Sequence, residues 1–429
     1  MSVDLYQHDI DFAILALQDP AFNKFLKTNG QLDFSDPKAV QQLTKSLLKR
    51  DFSIDIKLPD DRLCPPVPNR LNYILWVQSL LDTTSPRFKN DTYDPSRTVT
   101  GLDIGTGASC IYPLLGCAQR PKWRFAATDI DDKNLHYAQE NIARNDFQSR
   151  IRPLKTKPDG SLIPLAELGL DSIDFTMCNP PFYSSASELL ASAAAKSRPP
   201  HSACTGAEVE MVVPGGEVAF VSRVIDESVV LKEQVQWYTS MLGKASSIIE
   251  VVGRLKTVGA HNWAVTEFVQ GQKTRRWAVG WSWGDMRPRQ DVARNMASLP
   301  KHLLPFPCEY RFAATHSSPV ERLNMIMGQL DLQWQYQPHL CTGIGRARSN
   351  VWSRAARRKQ KNIIDEATRA KSDGEDDDDD DDEQQPALGF KIQMSAGEGG
   401  QVIQVRWLQG RDSILFESFC GMLKRQMIA

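Results

Sequence analysis

Asn179, Pro180, Pro181 and Phe182 stand together in the stretch MCNPPFYSS, directly after the apolar run SIDFTMC. Proline removes a backbone donor and resists both helix and sheet. Asn-Pro pairs commonly open turns, so one reading is a turn that ends a strand. The other reading is chemical. The Asn179 side-chain oxygen and the Pro180 backbone carbonyl are two acceptors, and Pro181 keeps the chain from folding back to satisfy the second. Two acceptors aimed at one point suit an exocyclic amine with two N–H donors. Phe182 offers a face for stacking, worth ~1–3 kcal/mol per base. Adenine N6, cytosine N4 and a glutamine amide all fit.

A second constellation lies upstream in GLDIGTGASC. A strand should end at Asp103–Ile104. Gly105 and Gly107, flanking Thr106, allow a tight turn and close backbone approach to a ligand, and a helix N-terminus should follow, favouring negative groups. This is not the GxGxxG dinucleotide pattern, since position 110 is Cys. The next strand ends in ATDID, where Asp129 can bind a ribose diol or cap the following helix. In that order, glycine turn, acidic strand end and NPPF resemble a class I S-adenosylmethionine-dependent methyltransferase. On that resemblance Arg70, in PNRLNY, could hold the methionine carboxylate by a charge-assisted bond; on composition alone it is a surface charge.

These residues need elements to carry them. TVTGLDIG, RFAATDID and SIDFTMC read as strands, and ASCIYPLLGCAQ and DKNLHYAQENIARN as helices between them. Strands alternating with helices predict a parallel α/β sheet covered on both faces. EVAFVSRVIDESVVL begins a further helix. SSIIEVVGRL, AVTEFVQG and RRWAVGWSW look strand-like, the last two forming a hairpin at an antiparallel edge. Before residue 70, NKFLKTNG and DPKAVQQLTKSLLKRDF have helical spacing, with Asp36–Pro37 as a helix start. FSIDIKL alternates like a strand, and CPPVPNR is a rigid connection.

The 429 residues suggest two or three domains. Acids and bases nearly cancel, 52 against 51, so overall charge excludes nothing. The eight cysteines and seven histidines are scattered, so no structural zinc or other metal site is expected. Reduced thiols, an acidic N-terminus without an apolar h-region and the lack of a long apolar run point to a nuclear or cytoplasmic protein with no membrane partner. After a linker at 286–304, CEYRFAA, SPVERLNMIMGQL, DLQWQYQ, ALGFKIQM, GQVIQVRWLQ and RDSILFESFCGMLKRQM compose a small α+β domain over 305–429. It is interrupted at about 359–386 by an acidic loop, SDGEDDDDDDDEQQ, that is expected to be disordered.

The wording is closer than class level. RLNYILWV, GLDIGTGASCIYPLLG, CNPPF, KSRPPHSACTGAEVEM, GGEVAFVSRVIDES, QWYTSMLGK and TEFVQGQKTRRWAVGWSW resemble the methyltransferase-like protein 16 family over roughly residues 1–285. The resemblance implies a Rossmann-like methyltransferase domain at 70–285 behind an N-terminal RNA-binding module at 1–69. The implied activity is formation of N6-methyladenosine in structured RNA with S-adenosylmethionine, on U6 small nuclear RNA at an ACAGA-type box and on messenger RNA hairpins. It implies that Arg70, Asp103, Gly105, Thr106, Gly107, Asp129 and Asn179 meet the cofactor, and that Ser161 corresponds to a Thr near its adenine. Asn179, Pro180, Pro181 and Phe182 would form the catalytic clamp. The family often has Glu where Asp129 stands here. Phosphate contacts would fall to Lys45, Lys49, Arg50 and Lys57 near the N-terminus, to Lys196 and Arg198 after the motif, and to Lys273, Arg275 and Arg276. No DNA partner is expected. Methylation of a protein glutamine, or RNA binding with a dispensable catalytic site, are the rival functions.

Overall fold

The computed structural model describes residues 5–6, 10–85, 91–188, 206–270, 274–353, 356, 358, 385–397 and 400–428. The chain forms two compact units. The first comprises Met1–Asp82, Thr92–Gly284 and Asp291–Pro305, and the second Thr83–Asp91, Asp285–Gln290 and Phe306–Ala429.

The first unit is built on strands β1 Val99–Ile104, β2 Trp123–Asp129, β3 Ile151–Lys155, β4 Ile173–Cys178, β5 Val235–Leu242, β6 Asn262–Gln270, β7 Thr274–Ser282 and the short β8 Arg294–Asn295. Their order is β3-β2-β1-β4-β5-β7-β6-β8. The first five run parallel, and β7 is antiparallel to both β5 and β6. Helices α1 Phe12–Gln18, α2 Pro37–Phe52, α3 Val67–Thr83, α4 Ile111–Gln119, α5 Asp132–Arg144, α6 Gly216–Leu231 and α7 Ala245–Thr257 accompany the sheet. A strand buried on both faces reads as a near-continuous apolar run, and neighbouring strand residues duly feed two different clusters. Phe125, Ala127 and Met177 join one; Ala126, Ile104 and Cys178 join the other. Helix starts follow their caps: Asp36 accepts from Lys38 N at 2.9 Å with Pro37 at the first helical position, and Asp131 accepts from Asn134 N at 2.8 Å.

Several local expectations are corrected. SSIIEVVGRL is helix α7, not a strand. Its buried Ile248, Val251, Val252 and Leu255 fall at i, i+3, i+4 and i+7, so helical periodicity outweighs β-branched content. FSIDIKL joins no sheet: Phe52 closes α2, Ser53 is left-handed with φ of 57°, and the residues after it pair with no strand. The N–H groups of Asp55 and Lys57 are taken by the side chains of Asn145 and Asn141 at 2.8 and 2.7 Å, and those amides donate back to the same residues' carbonyls. CPPVPNR is not all connector, since α3 starts at Val67 with Pro68 in its first turn. Strands β3 and β5 are additional. The expected linker 286–304 is divided: 285–290 belongs to the second unit, while 291–305 belongs to the first, where β8 pairs with β6. Residues of the N-terminal segment, Leu15, Phe22, Leu47 and Leu48, share one apolar cluster with the sheet.

The second unit carries strands β9 Glu309–Ala314, β10 Gln333–Gln337, β11 Thr342–Ala347, β12 Leu388–Gly397 and β13 Gly400–Gln409, with helices α8 Pro319–Gly328 and α9 Ser413–Ile428. The sheet is antiparallel in the order β10-β11-β12-β13-β9. Its core includes Leu323, Phe390, Ile403, Trp407 and Phe419. Thr83 and Asp91 are tied in by buried Arg406, which pairs with Asp91 and donates to Thr83 O at 2.9 Å. The acidic run at 373–383 lies outside the described residues.

Candidate active site

The glycine turn closes β1. Gly105 and Gly107 have φ of 72° and 63°, a region that non-glycine residues rarely enter. The N–H groups of Gly105 and Thr106 donate to Thr128 O at 2.9 and 2.8 Å, pinning the turn to β2. Asp129, the last residue of β2, accepts from Gly107 N through Oδ2 and from Asp131 N through Oδ1, both at 2.9 Å. Burial raises its pKa and these backbone donors oppose the rise. The two readings of Asp129 therefore merge: it braces the turn and the start of α5, yet it still lines an open cavity. That cavity holds about 920 Å³ of empty space, mouth included, and Gly105, Thr106, Gly107, Asp129, Arg70, Asn179, Pro180 and Pro181 all line it.

Strand β4 delivers Asn179 to the carboxyl end of the parallel sheet, where α/β folds build their sites. Arg70, buried on α3, donates through Nη1 to Asn179 Oδ1 at 3.1 Å, to Tyr112 Oη at 2.9 Å and to Met241 Sδ at 3.1 Å. The amide is thus oriented by a guanidinium. One lone pair of Oδ1 is used and the other stays available, while the remaining guanidinium nitrogens are left for a ligand carboxylate. The Phe182 ring rests against the backbone of Gly243, where an added Cβ would lie 2.8 Å from Cδ1. Glu217 braces that loop, accepting from Gly243 N, Lys244 N and Ser247 Oγ at 2.6, 3.1 and 2.6 Å. Tyr183 is registered by its backbone: its N–H donates to Met211 O at 3.0 Å and its carbonyl accepts from Val213 N at 2.9 Å.

Asp103 is fully buried and does not line the cavity. Neither of its oxygens has a hydrogen-bond partner among the described residues. Burial pushes its pKa up to about 7, the charge of Asp129 adding to the rise and that of Arg70 opposing it. Ser161 is a correction: it does not line the cavity, because its hydroxyl donates to Glu227 at 2.7 Å. The neighbouring Thr156 and Leu162 line it instead.

The basic candidates scatter. Lys45, Lys49 and Arg50 lie on α2, Arg50 pairing with Asp51 at 2.6 Å. Lys57 pairs with Glu140 at 3.0 Å, and Arg275 with Glu267 at 2.8 Å. Arg276 stands apart. Its guanidinium lies 5.9 Å from the Phe182 ring centroid, and burial followed by the charge of Arg70 lowers its pKa. Two guanidinium groups therefore face the motif. Lys196, Arg198 and Lys273 lie outside the described residues.

Comparison with known proteins bears on this arrangement. A family model described as RNA methyltransferase matches residues 3–285. The chain belongs to this RNA methyltransferase family. A relative named U6 small nuclear RNA (adenine-(43)-N(6))-methyltransferase, from Schizosaccharomyces pombe, is 33% identical over 93% of this chain and 96% of its own length. The human RNA N(6)-adenosine-methyltransferase METTL16 is 41% identical over 64% of this chain and 49% of its own. The crystal structure of the hMettl16 catalytic domain with a MAT2A 3'UTR hairpin superposes with a TM-score of 0.58 at 39% identity, covering 66% of this chain and 95% of that one. As in other members of the family, the fold is a Rossmann-like methyltransferase domain.

Residue types alone missed part of the site. Tyr112, Glu210 and Phe220 line the cavity, yet Tyr112 and Phe220 sit in stretches that read as ordinary helix, and Glu210 in one that entered only through the family resemblance. The signal for Tyr112 was its place in the first turn of the helix after the glycine turn. Glu210 and Phe220 come from a segment whose approach to the turn only the fold reveals.

Proposed function

We propose that this chain transfers a methyl group from S-adenosylmethionine to adenine N6 in structured RNA, with U6 small nuclear RNA at an ACAGA-type box as the principal substrate and messenger RNA hairpins as a second class. One observation carries the reading: Asn179 of NPPF lines the same cavity as the glycine turn and Asp129. A relative that matches nearly end to end is named for that reaction on U6 RNA, and one solved neighbour is the N-terminal domain of human METTL16 in complex with SAH.

The cavity fits the cofactor. Two left-handed glycines admit close backbone approach, Asp129 offers acceptors for a ribose diol, and Arg70 has guanidinium nitrogens free for a carboxylate. When bound, the cofactor supplies an electrophilic methyl on a sulfonium. The chain's own residues do the rest. Arg70 orients the Asn179 amide, whose second Oδ1 lone pair accepts one N–H of the adenine amine. The Pro180 carbonyl accepts the other, and Phe182 stacks on the base. Held by both hydrogens, the nitrogen keeps its lone pair for the incoming methyl, and one proton leaves to water afterwards. Arg276 and Arg70 give the motif a positive environment suited to a polyanion, which favours RNA over a peptide glutamine.

Labelled-methyl transfer to a U6-like hairpin tests this, with Asn179→Ala as the comparison. The intact chain should methylate the hairpin and the variant should lose at least about 100-fold. No transfer to any hairpin or to total RNA, or undiminished transfer by the variant, refutes the proposal.

A further inference from the structure

Glu210 lies on the short helix Glu208–Met211, about a hundred residues beyond the glycine turn, yet it lines the same cavity as Gly107 and Asp129. Its two oxygens differ. Oε2 accepts from Leu63 N at 2.8 Å and from Ala207 N at 3.0 Å. Oε1 accepts no hydrogen bond among the described residues, and it stands 3.6 Å from the point a Cβ on Gly107 would occupy. It therefore overhangs the glycine turn. Burial raises this carboxyl's pKa, while the two backbone bonds and the charge of Arg62 oppose the rise. Glu210 is half-buried, and a carboxylate with one oxygen held by two backbone donors and the other bare over a ligand cradle keeps that oxygen ready for hydroxyl or N–H donors of the ligand.

We propose that Glu210 is a second carboxylate ligand of the nucleoside cofactor, acting beside Asp129, and that it couples occupancy of the cavity to the NPPF motif. The coupling route is short. Met211, the next residue, accepts from Tyr183 N, and Val213 donates to Tyr183 O. Tyr183 directly follows Phe182. A ligand that fixes Glu210 fixes the segment against which the backbone of the motif is registered. This rests on the cofactor reading given above.

The test uses the full chain and S-adenosylhomocysteine, whose binding needs no turnover. Titration calorimetry compares the unaltered chain with Glu210→Gln, Glu210→Ala and Asp129→Ala, thermal unfolding confirms that each is folded, and hydrogen exchange follows residues 206–214 with and without the ligand. Glu210→Gln keeps the side chain's shape and should weaken binding about tenfold. It should also lose the ligand-induced protection of 206–214 and lower kcat on hairpin RNA beyond any rise in KM. Glu210→Ala should weaken binding further; if it does not fold, the Gln variant decides. Unchanged affinity and protection in folded Glu210→Gln, with binding lost in Asp129→Ala, overturns the role of Glu210 and leaves the cofactor reading standing. No binding by the unaltered chain overturns both.

Discussion

Gly243 carries no functional group, yet Gly243→Ala should disable the enzyme without touching its cofactor. An added Cβ would lie 2.8 Å from Phe182 Cδ1, 3.0 Å from Cε1 and 3.3 Å from Glu217 Oε2. Carbon atoms settle at roughly 3.5–4.0 Å, so the ring must retreat by about 0.7 Å or more. Glu217 cannot give way easily, because it holds three donors and is buried. Overpacking of this kind costs about 1–3 kcal/mol of stability. The kinetic effect should be larger, since a misplacement of about 1 Å at a reacting group can cost ~100-fold. Gly243 does not line the cavity. We therefore expect kcat on a hairpin to fall roughly 10–100-fold while the Kd for S-adenosylhomocysteine stays within about twofold of the unaltered chain. Gly253→Ala on α7 is the control: its Cβ meets nothing within 4 Å, so activity should hold while stability rises by up to ~1 kcal/mol. Single-turnover methyl transfer and calorimetry on the same preparations read both quantities. Unimpaired turnover by Gly243→Ala would show that the Phe182 plate does not need its observed seat, and the stacking argument would fall with it.

Two further outcomes follow from charges at the site. Asp103, with a pKa raised by burial to about 7 against an ordinary carboxylate value near ~4, holds more proton in the folded than in the unfolded chain between those limits. It contributes stability at low pH that is lost as pH rises through about 7, with a slope of at most ~1.4 kcal/mol per pH unit. Asp103→Asn should gain stability relative to the unaltered chain between pH 5 and pH 8 in denaturant unfolding; parallel pH profiles would show that Asp103 is not held protonated. Arg276→Gln should raise KM for hairpin RNA several-fold and flatten the dependence of binding on salt by about one counterion, with cofactor affinity unchanged. An unaltered salt slope would place Arg276 in packing alone.

How much of this was legible in the residues depends on the range of the interaction. DIGTG, ATDID and NPPF were readable because each is a local turn whose residue types have few other uses: left-handed glycines, a strand-end acid, prolines that stop a strand. Ser161 was misplaced because a loop's side-chain direction is set by what it meets, here Glu227 on α6. The same holds for FSIDIKL, whose alternation promised a strand until Asn141 of α5 and Asn145 at its C-terminal cap took its backbone groups.

The sequence by itself determined the parallel sheet, the order of the three motifs along it and the chemistry that their residue types permit, because burial periodicity and turn geometry are written over a few consecutive residues. Only the tertiary structure decided that Arg70 grips the Asn179 amide, that Gly243 seats Phe182, that Arg276 alone of the described basic candidates reaches the motif, and that Glu210 overhangs the glycine turn. Each of these is a contact between residues distant along the chain, and such contacts are set by packing rather than by any local preference.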